Sequence, residues 1–587
     1  MLRKSIAAVA LMLPGLLIQP AVAGAPAPPA TQWLPASTPI VVELSRPDAF
    51  LDLVLDPKMA DKITSLPAYE ELASQPGFQQ FTNLIEFLEL RLGTDWRMGL
   101  RKLVGGGVTF AVGPKESVLL MIDAKDAKML GELNEIIVGF AREEAEKQGN
   151  PGRVGSAEYR GVTAWTLGPN QAHAVIGNRL LVTNKPDALK AVVDLREDAA
   201  AKRLAGLPAY QAAKKAAGPD AVATAYVNLE ILKQVPGVEK ALDSEKNPLA
   251  ALVFAGVTEA VRQSTWLGIG LKIDGETLRL EAAVDGKLTD PAGPAAFAQP
   301  AEPTGGALPH LAVPGRIAGM SLYRDLHGFY AAKDDLFPER SSGLILFENM
   351  MGIFFSGRDL TEEVLAEAQP EVRVVVAEQK YDPAVGTPVV KIPGFALVLR
   401  LRHPEEFNLI MEEAWQKAVG LTSFTRGQQA LPGLIIDRFT HGDTKYTVAY
   451  FSPAEVEDRE HLETRFNFRP ALAMLDDYLI LSSAEGLARD LIDATKKEFA
   501  ATIEPLAAVH SSVRLDGRRL ASILGTNREQ LVRHNMIEEG NTQEEAETEI
   551  DLLMTLVQYL GSVKLDVGSR DGNTQASLEL ELNVADQ

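Results

Sequence analysis

The sequence predicts an α+β fold of two tandem related domains. Each is expected to be a curved, mainly antiparallel sheet with helices packed on one face. Three observations carry this. The order of elements from about residue 34 to 288 recurs from about 308 to 584. The strands read as short apolar runs bounded by turn residues. Helical stretches are interspersed and do not alternate one-for-one with strands, which argues against a doubly wound parallel sheet.

The N-terminus reads as an export signal over residues 1–23. Arg3 and Lys4 precede an apolar stretch from Ile6 to Ile18, and Ala21 and Ala23 give the small residues of a cleavage site. Residues 24–33 follow as a flexible tether. The first repeat is expected over 34–289, a Pro/Gly-rich linker over 290–309 and the second repeat over 310–587. In the linker, Pro291, Pro294, Pro300, Pro303 and Pro309 join Gly305 and Gly306, a composition that holds neither helix nor central strand.

In the first repeat, Pro39 to Leu44 opens as an extended run. Phe78, Phe81, Leu84, Ile85 and Leu88 recur at helical spacing. Val108–Val112 and Val118–Ile122 read as strands. Met129, Leu130, Leu133, Ile136, Ile137 and Phe140 mark an amphipathic helix. Short strands follow over 157–160, 162–167, 172–176 and 179–183, and Pro186 sits in the first turn of another helix. Pro248 opens a further helix. Trp266–Ile273 and Thr277–Val284 flank Asp274 and Gly275, a strong hairpin signal. The second repeat follows with matched spacing. Gly93 and Asp95 before Val108–Val112 correspond to Gly357 and Asp359 before Val372–Val376. Gly177-Asn178 becomes Asp476-Asp477, and Asp571-Gly572 turns the last hairpin. Two insertions, 379–393 and 446–469, belong to this half alone and are expected to extend hairpins.

These features resemble the domain of unknown function 3352, a family of exported bacterial proteins. The resemblance rests on Leu34, Pro35 and Thr38 leading into a strand, and on Gly93 and Asp95. It also rests on Gly177 to Thr183 followed by Asp187 and Leu189, and on Asp476 to Ser482. It implies export and repetition. It implies no activity, substrate or catalytic residue.

Composition excludes several chemistries. There are no cysteines, so disulfides, thiolate metal sites and cysteine nucleophiles are impossible. The net charge of −21, or −23 once Arg3 and Lys4 are removed, repels nucleic acid and anionic lipid headgroups. The eight histidines (His173, His310, His327, His403, His441, His461, His510 and His534) include no pair at helical metal-ligand spacing. No serine sits in a Gly-x-Ser-x-Gly elbow. Gly105 to Gly107 lacks the Lys-Ser/Thr of a phosphate loop. Thr542 and Glu545 form a capping box that accounts for the acidic run after them. Asp476 and Asp477 are the best local carboxylate pair, yet adjacent turn residues diverge. Trp96 reads as core, and Trp165 is matched to Asp437 in the second half.

No catalytic, cofactor-binding or metal-ligating residue is therefore assigned, and no cofactor is expected. The leading reading is a non-catalytic exported protein, periplasmic or secreted. It binds a protein partner or an apolar ligand through a groove between or within its repeats. No nucleic-acid partner is expected, and no integral membrane segment after signal cleavage. The alternatives are an unrecognised hydrolase with a dispersed carboxylate/histidine site, and a structural component of the cell envelope.

Overall fold

Strands form where β-branched and aromatic residues alternate with small or polar ones, since such side chains fill a pleated, half-buried surface. The computed structural model describes residues 28–57, 64, 69, 73, 76–168, 171–235, 237–238, 248–286, 296–300, 305–337, 342–454, 458–501, 503–570 and 572–583. The expected export signal, the first part of the tether, residues 290–295 and 301–304 of the expected linker, and Asp571 lie outside them. The chain divides into two units, residues 1–239 with 264–284 and residues 240–263 with 285–587.

The first unit holds β1 (Ile40–Leu44), β2 (Gly107–Val112), β3 (Val118–Asp123), β4 (Gly155–Tyr159), β5 (Val162–Gly168), β6 (Gln171–Ile176), β7 (Arg179–Thr183), β8 (Ala223–Asn228), β9 (Trp266–Asp274) and β10 (Thr277–Val284). Antiparallel pairing sets the lateral order β4-β5-β6-β7-β3-β2-β1-β8-β9-β10. The second unit holds β11 (Arg316–Tyr323), β12 (Ala368–Ala377), β13 (Gly394–Leu401), β14 (Ile435–His441), β15 (Thr444–Tyr450), β16 (Ala471–Leu475), β17 (Tyr478–Ser482), β18 (Val509–Asp516), β19 (Leu560–Arg570) and β20 (Asn573–Leu582). Its order is β14-β15-β16-β17-β13-β12-β11-β18-β19-β20, also antiparallel throughout. Strand for strand the two orders are the same.

The matched Gly-x-Asp segments do the same local work in both units. Gly93 and Gly357 take φ of 64° and 74°, which glycine adopts without a Cβ penalty. Asp95 then accepts from the backbone N of Arg97 and Met98 at 3.0 and 3.2 Å, capping the helix Trp96–Val104. Asp359 accepts from Thr361 and Glu362 at 2.8 and 2.9 Å, capping the helical turns from Leu360. Each aspartate satisfies donors that a helix start leaves free.

In the first unit Ala111, Met121, Ala174 and Leu181 of the sheet pack with Leu189 and Val193 of helix Pro186–Glu197 and with Ala213 of helix Pro208–Ala217. The latter helix lies hard on β9. A Cβ at Gly268 would stand 2.7 Å from the Ala213 carbonyl oxygen, and one at Gly270 would stand 2.4 Å from that of Ala217. On the opposite sheet face, His173 of β6 meets Asn134 of helix Ala127–Lys147. In the second unit Val375, Val398 and Ile480 pack on Leu487, Leu491 and Ile492 of helix Glu485–Ala501. The other face carries Phe407, Trp415 and Val419 of helix Pro404–Gln428. Among the described residues no helix stands between Glu485–Ala501 and β18. At the positions of Gly270 and Gly268, register places Asp566 and Lys564. Where the first unit has glycines under a helix, the second unit has charge.

The helix Pro248–Gln263, placed by sequence in the first repeat, packs in the second unit. Ala251 joins Tyr330, Phe337 and Leu344. Arg324, 1% exposed, donates to the carbonyl oxygens of Leu252 and Val253 at 2.6 and 2.8 Å and to Ser511 Oγ at 2.8 Å. Residues 305–309, read from composition as linker, are likewise built in. Ala307 and Leu308 are 0% and 2% exposed, and Ser321 Oγ donates to the Leu308 carbonyl at 2.6 Å. The insertions 379–393 and 446–469 knit together rather than simply lengthening hairpins. Asn467 accepts from Tyr381 and the Ile392 backbone, and donates to the Val390 and Thr464 carbonyls.

Candidate functional site

A cavity of about 180 Å³ opens in the first unit between the β4–β5 hairpin and helix Pro186–Glu197. Small residues make the space: Gly155, Ala157, Ala164 and Ala172 line its floor, while Val162, Leu189 and Val193 wall it. Ser156 and Thr166 are neutral, and Thr166 Oγ1 is already given to the Gly155 carbonyl at 3.3 Å. Tyr159 points its hydroxyl outward to Asp194 Oδ1 at 2.8 Å. Lys190 is the one charged lining residue, 3.6 Å from Asp187.

Register explains why the second unit is different here. Ala174 lies three residues before the turn at Gly177, and Ala473 three before the turn at Asp476, both with positive φ. Ala174 pairs with Ala164, which pairs with Ala157. Ala473 pairs with Tyr446, which pairs with Phe439. The two alanines that create the cavity are thus a phenylalanine and a tyrosine in the other copy. Their rings lie 6.0 Å apart, and Tyr446 donates to Glu485 at 2.9 Å. One copy has space where the other has side chains.

The polar residues gather elsewhere, in the second unit. His310 Nε2 lies 3.0 Å from Ser512 Oγ, which donates to Asp566 Oδ1 at 2.7 Å. Arg514 clamps both oxygens of Asp566 at 2.7 and 2.8 Å. In a nucleophilic triad the histidine stands between hydroxyl and carboxylate. Here the hydroxyl stands between them, and Ser512 is 0% exposed. Burial, with Arg316 and Arg514 nearby, lowers His310 to about 4. Burial alone lowers His173 to about 4. His510 falls to about 3, from burial first and then Arg324. His327, His403, His441 and His461 form separate pairs with Glu362, Glu367, Asp493 and Asp458. Among the described residues no three potential ligands cluster to hold a metal.

Asp476 and Asp477 do not act as a pair: Asp477 is held by Arg400 Nε at 2.8 Å, while Asp476 makes the turn with φ of 49°. Two aromatic readings change. Trp96 is not core; it is 36% exposed, with the Arg97 guanidinium 4.6 Å from its ring centroid. Trp165 lies on β5 opposite His173, so its counterpart is Thr447 of β15, opposite Leu472, and not Asp437 of β14. The alanines that form the cavity carry no reactive group and so do not stand out in the sequence. Their only signal was the change from Ala164 to Tyr446 across the matched strands.

No helix among the described residues is long and apolar enough to cross a membrane. No curated protein matches the chain. Among solved structures, crystal form I of TP0453 aligns with TM-score 0.23 and 8% identity, covering 45% of this chain and 81% of that one. Crystal form III aligns with TM-score 0.25 and 8% identity, covering 47% and 84%. Likenesses at those scores carry no argument. Residues 68–311, which include the cavity, match the family described as "Protein of unknown function (DUF3352)", the family that the sequence resembles.

Proposed function

We propose that this protein is a non-catalytic binding protein of the bacterial envelope, exported by its N-terminal signal and built by tandem duplication. The first unit's cavity holds the apolar end of a small amphiphile. The observation that carries this reading is the cavity itself, kept open by Ala157 and Ala164 where the second unit has Phe439 and Tyr446. Strand order shared between the units supports the duplication.

Size and energy narrow the ligand. An apolar void of about 150 Å³ takes a benzene-sized guest, so 180 Å³ takes a ring or a short alkyl end. About four buried methylenes at ~0.8 kcal/mol each give roughly 3 kcal/mol, or millimolar binding at best. Useful affinity needs a second contact outside. Lys190 at the mouth, 58% exposed in its side chain and paired among the described residues only with the exposed Asp187, supplies a local cation for an anionic head group on a chain whose net charge is negative.

Octanoate binding measured by calorimetry tests this. Ala164→Tyr, which places the second unit's own residue in the cavity, is expected to weaken binding about tenfold or more, since it removes the space for most of the chain. Unchanged affinity in a folded Ala164→Tyr protein, or no octanoate binding by the wild type, overturns the proposal.

A further inference from the structure

The outermost strand of the second sheet is open on one side. β14 pairs with β15 along its whole length, Ile435 to His441, with no bulge. No strand lies on its other edge among the described residues. Residues 435–440 are all exposed, Ile435, Ile436 and Phe439 at 42%, 38% and 37%. Such an edge presents a row of free backbone N–H and C=O groups, a template for another strand. Proteins ordinarily blunt their edges with charged side chains (lysine above all), proline, bulges or short strands. β14 has no lysine, proline or glycine. Its charged residues are drawn back onto the protein: Asp437 accepts from Tyr450 at 2.6 Å, and Arg438 binds Glu412 through Nε at 3.0 Å. The corresponding edge of the first unit is protected. β4 is five residues long, begins at Gly155 and carries the charge of Glu158, and its aromatic residue, Tyr159, is tied to Asp194.

We propose that β14 is a docking edge that receives an extended segment of a cationic partner protein as an added strand. The backbone row calls for an extended chain, and side chains then set the preference. Ile435 and Phe439 share the sheet face on which His441 meets Asp493, and Ile436 shares the other with Arg438. The incoming segment therefore carries apolar residues to match both faces. Charge chooses between another protein and a second copy. With 79 acidic against 58 basic residues, two copies repel, while a cationic partner is attracted. Symmetric pairing of two β14 strands would also centre on a residue facing itself. Arg438 or Asp437 at that centre opposes like charges, which destabilises a strand pair. Phe439 at the centre leaves only residues 437–441 in the ladder.

A short synthetic peptide with a Val-Val-Lys repeat, which sets valines on both faces of an extended strand, provides the probe, with two isomers N-methylated on one or the other set of alternate amides. In an added strand only one set of amides faces β14. One isomer should bind the full chain like the parent, and the other should bind about tenfold or more weakly, since several hydrogen bonds of ~1 kcal/mol are lost. Hydrogen exchange at 435–441 should slow with parent peptide, and Phe439→Lys should weaken binding. Equal binding by both isomers means charge attraction only and overturns the proposal. So does absence of both binding and protection, or a sedimenting dimer that Phe439→Lys converts to monomer. The result leaves the cavity of the first unit untouched, so the two proposals fail separately.

Discussion

His173 lies on β6 with 4% of its surface exposed and one partner, the Asn134 amide oxygen 3.0 Å away. Burial holds it neutral, near a pKa of about 4 against 6.5 when unfolded. The unfolded chain thus takes up a proton first as the pH falls. Stability from this residue is complete above pH 6.5 and is lost between 6.5 and about 4. The loss is roughly 3 kcal/mol at 1.36 kcal/mol per unit. His510, lowered to about 3, acts with the same sign in the second unit. Urea unfolding at pH 7 and pH 4 should show the drop, and His173→Gln should shrink it. An equal drop in that variant would mean that other groups are responsible. The residue scale was also the least legible one. A histidine in sequence carries no mark of burial. Ala157 and Ala164 look like ordinary strand residues until pairing sets them opposite one another and register sets them against Phe439 and Tyr446. Trp96 shows the opposite error: a large aromatic suggests a core, but as the first residue of a short capped helix it faces outward.

Asp95 and Asp359 begin helical segments after a left-handed glycine, and that pairing of residues was readable because capping is local. Asp95→Ala and Asp359→Ala should each cost about 1 kcal/mol, the usual value of an N-cap. Separate thermal melts measure this, and an effect in one copy but not the other would show that the repeated motif no longer does repeated work. The hairpin of β9 and β10 was legible for the same reason, although its turn falls one residue later than the Asp274-Gly275 expected: Asp274 pairs with Thr277, and Gly275, at φ of 57°, and Glu276 make the turn. What could not be read was which strands become neighbours. β14 looks like any half-apolar run, and only the pairing order makes it an edge. The charges on Asp566 and Lys564 make sense only once helix Pro208–Ala217 is seen to have no counterpart between helix Glu485–Ala501 and β18 among the described residues.

At the level of the whole molecule, strand order repeats but ownership of segments does not. Helix Pro248–Gln263 belongs to the second unit although β8 and β9, on either side of it in sequence, belong to the first. Arg324 holds it through two backbone carbonyls. Arg324→Met should raise hydrogen exchange over 250–263 about tenfold, with little change in β8 and β9, because local opening follows local contacts. Equal loosening of all three would show that the helix and its sequence neighbours open together. Pro248 marked the start of the helix, but adjacency in sequence gave no hint of the partner it would choose. That choice has a cost in time. The helix is synthesised roughly seventy residues ahead of Arg324, about 4–14 s at ~5–20 residues per second. Tyr330, Phe337 and Leu344, which cover Ala251, arrive later still. A ribosome paused after Val284 but before Arg324 holds a chain whose first sheet has all its strands while one helix still waits, with its apolar side bare, for residues not yet made.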